Sequence, residues 1–427
     1  MKKHLFLLKW PYVEILFSFL LIMAIHSCQD QVDSTYTYQT NIPVFMQMNT
    51  VREIDIVVEP GKPLENPGKI YLYEDFLLIN EPQKGIHIIN NTNPNNPVSL
   101  NFIKIPGNVD LAVNNHILYA DSYVDLLAFD ISNPNEIEMI NRVEDVFPHL
   151  YTDPSTTTFM TLKDTIITFD SERPDMGWGR PGLWRGGNFF ALNSDSGGGS
   201  ESYGQGGSMA RFTLMNGHLY AVDDYSLRIF DAEEATTPVF LKELPLGWGI
   251  ETIFPFQDKL FIGSSTGMHI YDASIPSEPK PMSVYQHITA CDPVVVNEDY
   301  AFVTLRSGVT CNQGVNELHV LDIKDPYLPQ LIKAYPMDNP HGLALTENYL
   351  YLAEGLHGLK SFDVSDVQKI DENRMEHLRS MKSVDLIPGP KSLIVIGPEG
   401  VCQFDYSKPN RLMPLSCIQV KNTMVLH

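Results

Sequence analysis

The chain has 427 residues, a formal net charge of −22, and 43% apolar against 19% charged residues. Such an apolar share supports a large core and excludes a disordered or coiled-coil protein. The acidity repels phosphate backbones, which argues against a nucleic-acid partner.

Residues 1–27 read as a signal peptide: Lys2 and Lys3 supply a positive start, and the apolar run at 15–25 (ILFSFLLIMAI) is short for a membrane span. The sequence Ile25-His26-Ser27-Cys28 that follows resembles a bacterial lipobox, in which the cysteine is acylated and becomes the mature N-terminus. His26 stands where a small residue is usual, and a transmembrane anchor or an ordinary signal peptide is the alternative. Removing 1–27 takes away Lys2, Lys3, Lys9 and Glu14 and leaves a net charge of −24. Residues 28–40 are polar and read as a tether. Asp30 and Asp33 resemble the surface-export signals of Bacteroidetes lipoproteins. The expected location is the cell envelope, as an outer-membrane lipoprotein facing either the periplasm or the surface, with the lipid as its membrane contact.

From residue 68 onward one pattern recurs. A short apolar strand, a polar turn and an apolar-aromatic strand are followed by an alternating strand ending in Asp, and then by Pro. The end of that third strand falls at Asn90, Asp130, Asp231, Asp272, Asp322, Asp363 and Asp405. The intervals are 40 to 50 residues except for the 101 between Asp130 and Asp231. A further unit is expected in that gap, with two strands in 156–169 (TTTFMTLKDTIITF) and a third at 188–193 (NFFALN). The Asp is placed to cap its turn, and Pro falls where no ladder hydrogen bond is needed. Four short alternating strands in about 40 residues are the mark of a β-propeller blade. The fold class is therefore all-β, a propeller of four-stranded antiparallel blades in 41–427. Eight blades are expected, or seven if the unit in the long gap fails. Strands at 44–48 and 54–58 are expected to pack near 413–420 and help close the ring.

The units LRIFDA (227–232), LHVLDI (318–323) and LKSFDV (359–364) resemble the LVIVD repeat, and 206–224 and 291–323 resemble Bacteroidetes lipoproteins built from it. The resemblance covers residues 68–409 and implies a propeller fold and an exported location. It implies no activity.

Aligning the units brings out one column, the residue opening each inner strand: Asp110, Arg211, Glu251, Asp292, His341 and Asp385, with Lys69 nearby in the first unit. Such a ring of acids around a channel could hold Ca²⁺ on oxygen ligands, with His341 as a base. The competing reading is that each acid caps backbone N–H groups where its strand begins. No other cofactor is expected. No C-x-x-C pair, H-E-x-x-H, G-x-S-x-G or Walker motif occurs.

The longest departure from the repeat is an insertion at 171–207, which carries Arg173, Trp178, Arg180, Trp184 and Arg185 among glycines and prolines. These residue types anchor interfaces, and Trp offers a stacking surface for a sugar; alternatively, both tryptophans fold back onto the propeller. Beyond Cys28 the cysteines are even in number, and disulfides Cys291–Cys311 and Cys402–Cys417 are expected in an exported chain. Together these features favour a non-enzymatic module that binds an envelope protein or a glycan through a loop face. The alternative is a glycan- or lactone-processing enzyme with acids and His341 in the channel.

Overall fold

The computed structural model describes residues 36–147, 152–153, 158–169, 205–287, 293–307 and 315–421. The chain falls into two compact units, residues 1–44 with 161–186, and residues 45–160 with 187–427. The larger is a seven-bladed β-propeller of four-stranded antiparallel meanders. Its blades span 70–104, 111–143, 212–245, 250–286, 294–336, 343–378 and 385–419. The alternating strands follow from alternating sequence. First strands are mostly buried, and wholly so at Leu111–Asn114, whereas fourth strands such as Val239–Pro245 alternate half-buried and exposed residues. First strands of adjacent blades pack side by side around a central channel.

The eighth blade does not form. Instead of two strands, the described part of that unit contains one 12-residue strand, Thr158–Phe169, in a separate three-stranded sheet with Tyr36–Gln47 and Thr152–Asp153. Lys163-Asp164 lacks the Gly or Asn that a tight hairpin turn favours, so the Thr- and Ile-rich run continues straight. The expected third strand at 188–193 lies outside the described residues. Blades 2 and 3 are direct neighbours despite the long gap: Asn114 Nδ2 donates to Ala232 O at 3.0 Å. Residues 36–40, expected in the tether, belong to the strand Tyr36–Gln47, as alternating Tyr and Thr favour.

All seven turns between third and fourth strands repeat one hydrogen-bonded design. The closing Asp, or Asn90 in blade 1, accepts the backbone N–H two residues on through Oδ1 at 2.8–3.0 Å. The carbonyl at +3 then accepts the N–H at +6, as in Asn133 O with Glu136 N and Lys408 O with Arg411 N. That places residue +4 at the second position of a β-turn, where the fixed φ of Pro fits. The carbonyl of this +4 residue accepts a side-chain hydrogen bond from the preceding blade at every boundary. The donors are Asn101 to Pro134, Tyr119 to Ala235, Tyr220 to Pro276, Ser283 to Pro326, Tyr335 to Val367, Ser361 to Pro409 and Ser416 to Pro94.

The last of these bonds joins blade 7 to blade 1, so the ring closes by the same contact as its other boundaries. Asn91 and Gln403 add a reciprocal amide pair at 3.0 and 2.6 Å. The N-terminal segment closes the ring differently from the expectation. Val57–Pro60 pairs with the outer strand of blade 1, Val57 opposite Lys104, and does not reach blade 7. The chain meets the C-terminal end at Leu64, which bridges Val420 and accepts the Lys421 N–H at 2.7 Å. Residues 44–47 belong to the separate sheet. Within blade 7, Cys402 and Cys417 face one another on paired strands and form the expected disulfide. Cys28, Cys291 and Cys311 lie outside the described residues. Among the described residues no helix is long and apolar enough to cross a membrane.

The boundary bonds are testable where the donor is wholly buried. Tyr119→Phe leaves the ring packed but strands the Ala235 carbonyl, and should lower unfolding stability by about 1–3 kcal/mol. In urea titrations the midpoint should fall with the slope unchanged; an unchanged midpoint would show that the bond contributes nothing.

Candidate functional site

Each blade is an up-and-down meander, so its first strand begins, its second–third turn lies and its fourth strand ends at one face of the propeller, here the upper face. The described residues of the sequence column sit at this end, and several of them are engaged by nearby partners. Asp110 receives Lys69 Nζ at 2.6 Å, both side chains being buried. Its Oδ2 also accepts the Arg211 and Phe212 N–H groups, and its Oδ1 the Leu111 N–H. Asp110 thereby ties blades 1, 2 and 3 together, and burial holds the Lys69 amine below its ordinary range despite the ion pair. Arg211 turns away to Asp224, with Nη2 to Oδ1 at 2.7 Å.

Glu251 and His341 each lie near Arg306. Burial pushes the Glu251 carboxyl up to about 7, opposed by the nearby Arg211 and Arg306 guanidinium groups. Burial, reinforced by Arg306, holds the His341 imidazole down at about 3. Asn339 Nδ2 lies 3.1 Å from His341 Nε2, and Thr304 Oγ1 donates to the His341 carbonyl at 2.7 Å. His341 is thus a neutral ring at neutral pH. Asp292, expected beside them, lies outside the described residues.

Asp385 is wholly buried, and burial raises its carboxyl well above the ordinary range. Its Oδ1 accepts Ser208 Oγ at 2.9 Å, and that hydroxyl in turn accepts the Leu343 N–H at 2.7 Å. Ser208 belongs to the end of the long insertion. Here the chain lies across the channel. Gln205 and Gly206 pair with Leu72 and Tyr71 on the inner edge of blade 1. Met209 is buried in the cluster containing Leu64, Leu72 and Ile387, and Ala210 O accepts the Ile253 N–H of blade 4. Residues 205–210 therefore touch blades 1, 4, 6 and 7 before entering blade 3. Of the four acids expected to share a calcium ion, Asp110 is committed to Lys69 and Asp385 to Ser208. Among the described residues no group of three or more His, Cys, Asp or Glu is placed to hold a metal.

A second set of charged residues was not anticipated from the sequence. Buried or half-buried basic residues, two of them histidines, stand three positions before the turn residue and pair with acids at the upper end of the same blade. The pairs are His87–Glu81 at 3.1 Å, Arg228–Asp223 at 3.0 Å, His319–Glu317 at 2.8 Å and Lys360–Glu354 at 2.8 Å. Blade 2 has Leu127 at that position. There Arg52, on the short helix Met48–Arg52, forks onto Asp125 at 2.7 and 2.9 Å, and Arg142 joins at 2.8 Å. These guanidinium groups outweigh the desolvation of Asp125 and hold its carboxyl below the usual range. The column of basic residues is visible in the aligned units and was the available signal.

Blade 2 ends at the upper face, and Gln205–Gly206, antiparallel to Leu72–Tyr71, runs up the channel toward that face before blade 3 begins. Arg173, Trp178, Arg180, Trp184 and Arg185 lie outside the described residues. Of the described upper-face residues, Trp248, Tyr225 and Leu356 stand well out of the surface.

No protein-family model matches the sequence, and no curated protein does. Solved structures share the architecture. The periplasmic gluconolactonase of Pseudomonas aeruginosa aligns with a TM-score of 0.53 and 9% identity over 83% of this chain and 96% of that one. A functionally unknown protein from Desulfotomaculum acetoxidans aligns at 0.51 and 10% identity over 81% and 97%. At such identities the likeness is one of fold alone.

The Ser208–Asp385 contact has a pH signature. A carboxyl whose folded pKa is raised favours the fold at low pH, and that contribution is lost as pH rises from the unfolded value of 3.8 toward the folded one. Asp385→Asn, which mimics the protonated acid, should therefore gain stability relative to the wild type between pH 4 and pH 8. Thermal melts across that range test it, and a difference that does not change with pH would contradict a buried neutral acid.

Proposed function

We propose that this chain is an exported lipoprotein of the LVIVD-repeat type, anchored in the outer membrane through Cys28, which binds an envelope protein or glycan through its upper loop face. The observation that carries this reading is the return limb of the insertion. With residues 205–210 hydrogen-bonded into the channel, and Asp110 and Asp385 engaged in holding blades and limb together, the polar centre of the ring is used for assembly. The upper face is left as the surface on which a ligand can act.

One observation favours catalysis instead. Glu251, with a pKa of about 7 between two arginines, has the protonation balance of a general acid–base group. Propeller enzymes exist, the gluconolactonase among them, and such a role here would be lactone or glycan processing.

The two readings separate in one set of measurements on residues 28–427. Binding without turnover predicts that gluconolactone disappears in the presence of the protein at its spontaneous rate. Accelerated hydrolysis that is lost in both Glu251→Gln and His341→Ala would replace this reading with the enzymatic one. The anchor is tested in the full-length chain: Cys28→Ser should leave the membrane fraction or stall as precursor. Its recovery with membranes at mature size would rule out acylation there.

A further inference from the structure

We propose that Trp248, with Tyr225 beside it, is a sugar-stacking platform for a neutral oligosaccharide; this rests on the reading of the upper face as a binding surface. Trp248 is 66% exposed and Tyr225 52%. Apart from Leu356, which is aliphatic and offers no ring to stack on, other exposed apolar residues have ordinary places in the repeat: Val239 and Leu241 lie on an outer strand, and Ile275, Tyr327 and Leu328 lie in the lower turns. Trp248 sits in the connection from blade 3 to blade 4, Leu246-Gly247-Trp248-Gly249.

The backbone fixes this indole in the open. Leu246 N and Gly247 N donate to Tyr225 O at 2.8 and 3.2 Å, on one side of Trp248. On the other side, Gly249 N and Ile250 N donate to Asp224 O at 2.9 and 3.2 Å, and Ser265 N donates to Gly249 O at 2.7 Å. The turn beneath is fixed in its own right, since Asp223 Oδ1 accepts the Tyr225 and Ser226 N–H groups. Gly247 and Gly249 have φ of 117° and 78°, which residues with a Cβ rarely adopt. At Gly249 a Cβ would also stand 2.1 Å from Ser265 Oγ. Two glycines and a ladder of hydrogen bonds thus hold an aromatic side chain away from the core. The ordering cost of a binding site has already been met in folding.

Polar groups beside the aromatics complete the match. Asp224 adjoins Tyr225, its carbonyl holds the far side of the Trp248 loop, and its carboxylate pairs with Arg211 at 2.7 Å. Both members of that pair are partly exposed. A pyranose presents a C–H face to an aromatic ring and a rim of hydroxyls to groups that donate and accept. Indole beside a carboxylate–guanidinium pair offers both. The charge of the whole chain narrows the class: at −22 it repels nucleic acids and polyanionic glycans, but not an uncharged chain of hexoses.

The test uses residues 28–427 with cellohexaose, maltohexaose and chitohexaose as probes, read by calorimetry and tryptophan emission. At least one should bind and perturb the emission. Trp248→Ala should weaken that binding at least tenfold, about 1.4 kcal/mol, while Trp248→Tyr retains most of it. Gly249→Ala should weaken binding with the indole still present. Thermal melts of the exposed-site Trp248→Ala variant should match the wild type. If none of the three binds at millimolar concentration, or if Trp248→Ala binds as the wild type does, the platform is wrong. Undiminished binding in Trp248→Ala would leave the broader binding reading standing. Cleavage of a probe by the wild type would overturn that broader reading.

Discussion

Everything in this propeller hangs on a carbonyl. Four residues after each turn Asp or Asn, the backbone oxygen points across the blade boundary and accepts a side-chain hydrogen bond from the blade before. The acceptor is the same at every boundary because one turn design fixes it. The donor is free to vary among Asn, Ser and Tyr, and to come from different strands. A constraint written into the repeat on one side and left open on the other explains how units with diverged sequences still dock at one angle. It also explains why the seventh blade can close on the first without exchanging a strand.

Periodicity made most of the fold legible. Strand alternation and the recurring Asp, or Asn90, located all seven turns, with Pro four residues on in five of them, and the Asp was read as a turn cap because its side chain bonds locally. The extra blade was inferred from spacing and from the strand-like runs at 156–169 and 188–193, and neither reports a turn. Residues 158–169 supply strand propensity, and Asp170 and Pro174 repeat the Asp-x-x-x-Pro spacing, but nothing within 158–169 turns the chain to divide that run into two strands. The channel was harder to read for a different reason. Asp110 and Asp385 stood in the right column, but their partners lie far away in sequence: Lys69 is 41 residues from Asp110, and Ser208 is 177 from Asp385. Which polar residues share a site is decided by such pairings, and no local pattern encodes them. Trp248 was overlooked because it stands in a short connection, while attention went to the conspicuous insertion.

The upper face gathers the groups that the repeat does not explain: Arg211, Glu251, Arg306 and His341 around the channel mouth, and Tyr225 and Trp248 at its rim. Their environments differ in kind. Burial raises the Glu251 carboxyl and lowers the Arg306 guanidinium and the His341 imidazole from their ordinary ranges. The rim aromatics are solvated and fixed by backbone. A buried polar cluster of this sort is sensitive to every neighbour, whereas an aromatic clamped on a turn can change ligand by substitution of one or two side chains without disturbing the ring.

The return limb also carries a consequence for how the molecule assembles. Residues 205–210 belong to the middle of the chain, yet they lie against an early blade and the last two. Contacts such as Asn91 with Gln403, 312 residues apart, cannot form until nearly the whole chain is present. Local hairpins therefore form first, and ring closure is a late event of high contact order, expected to be slow. Until the last blade arrives, the inner edge of blade 1 is an unpaired strand with an apolar surface. The limb that pairs with it supplies, from within the same chain, a partner for an edge that would otherwise invite association with another molecule.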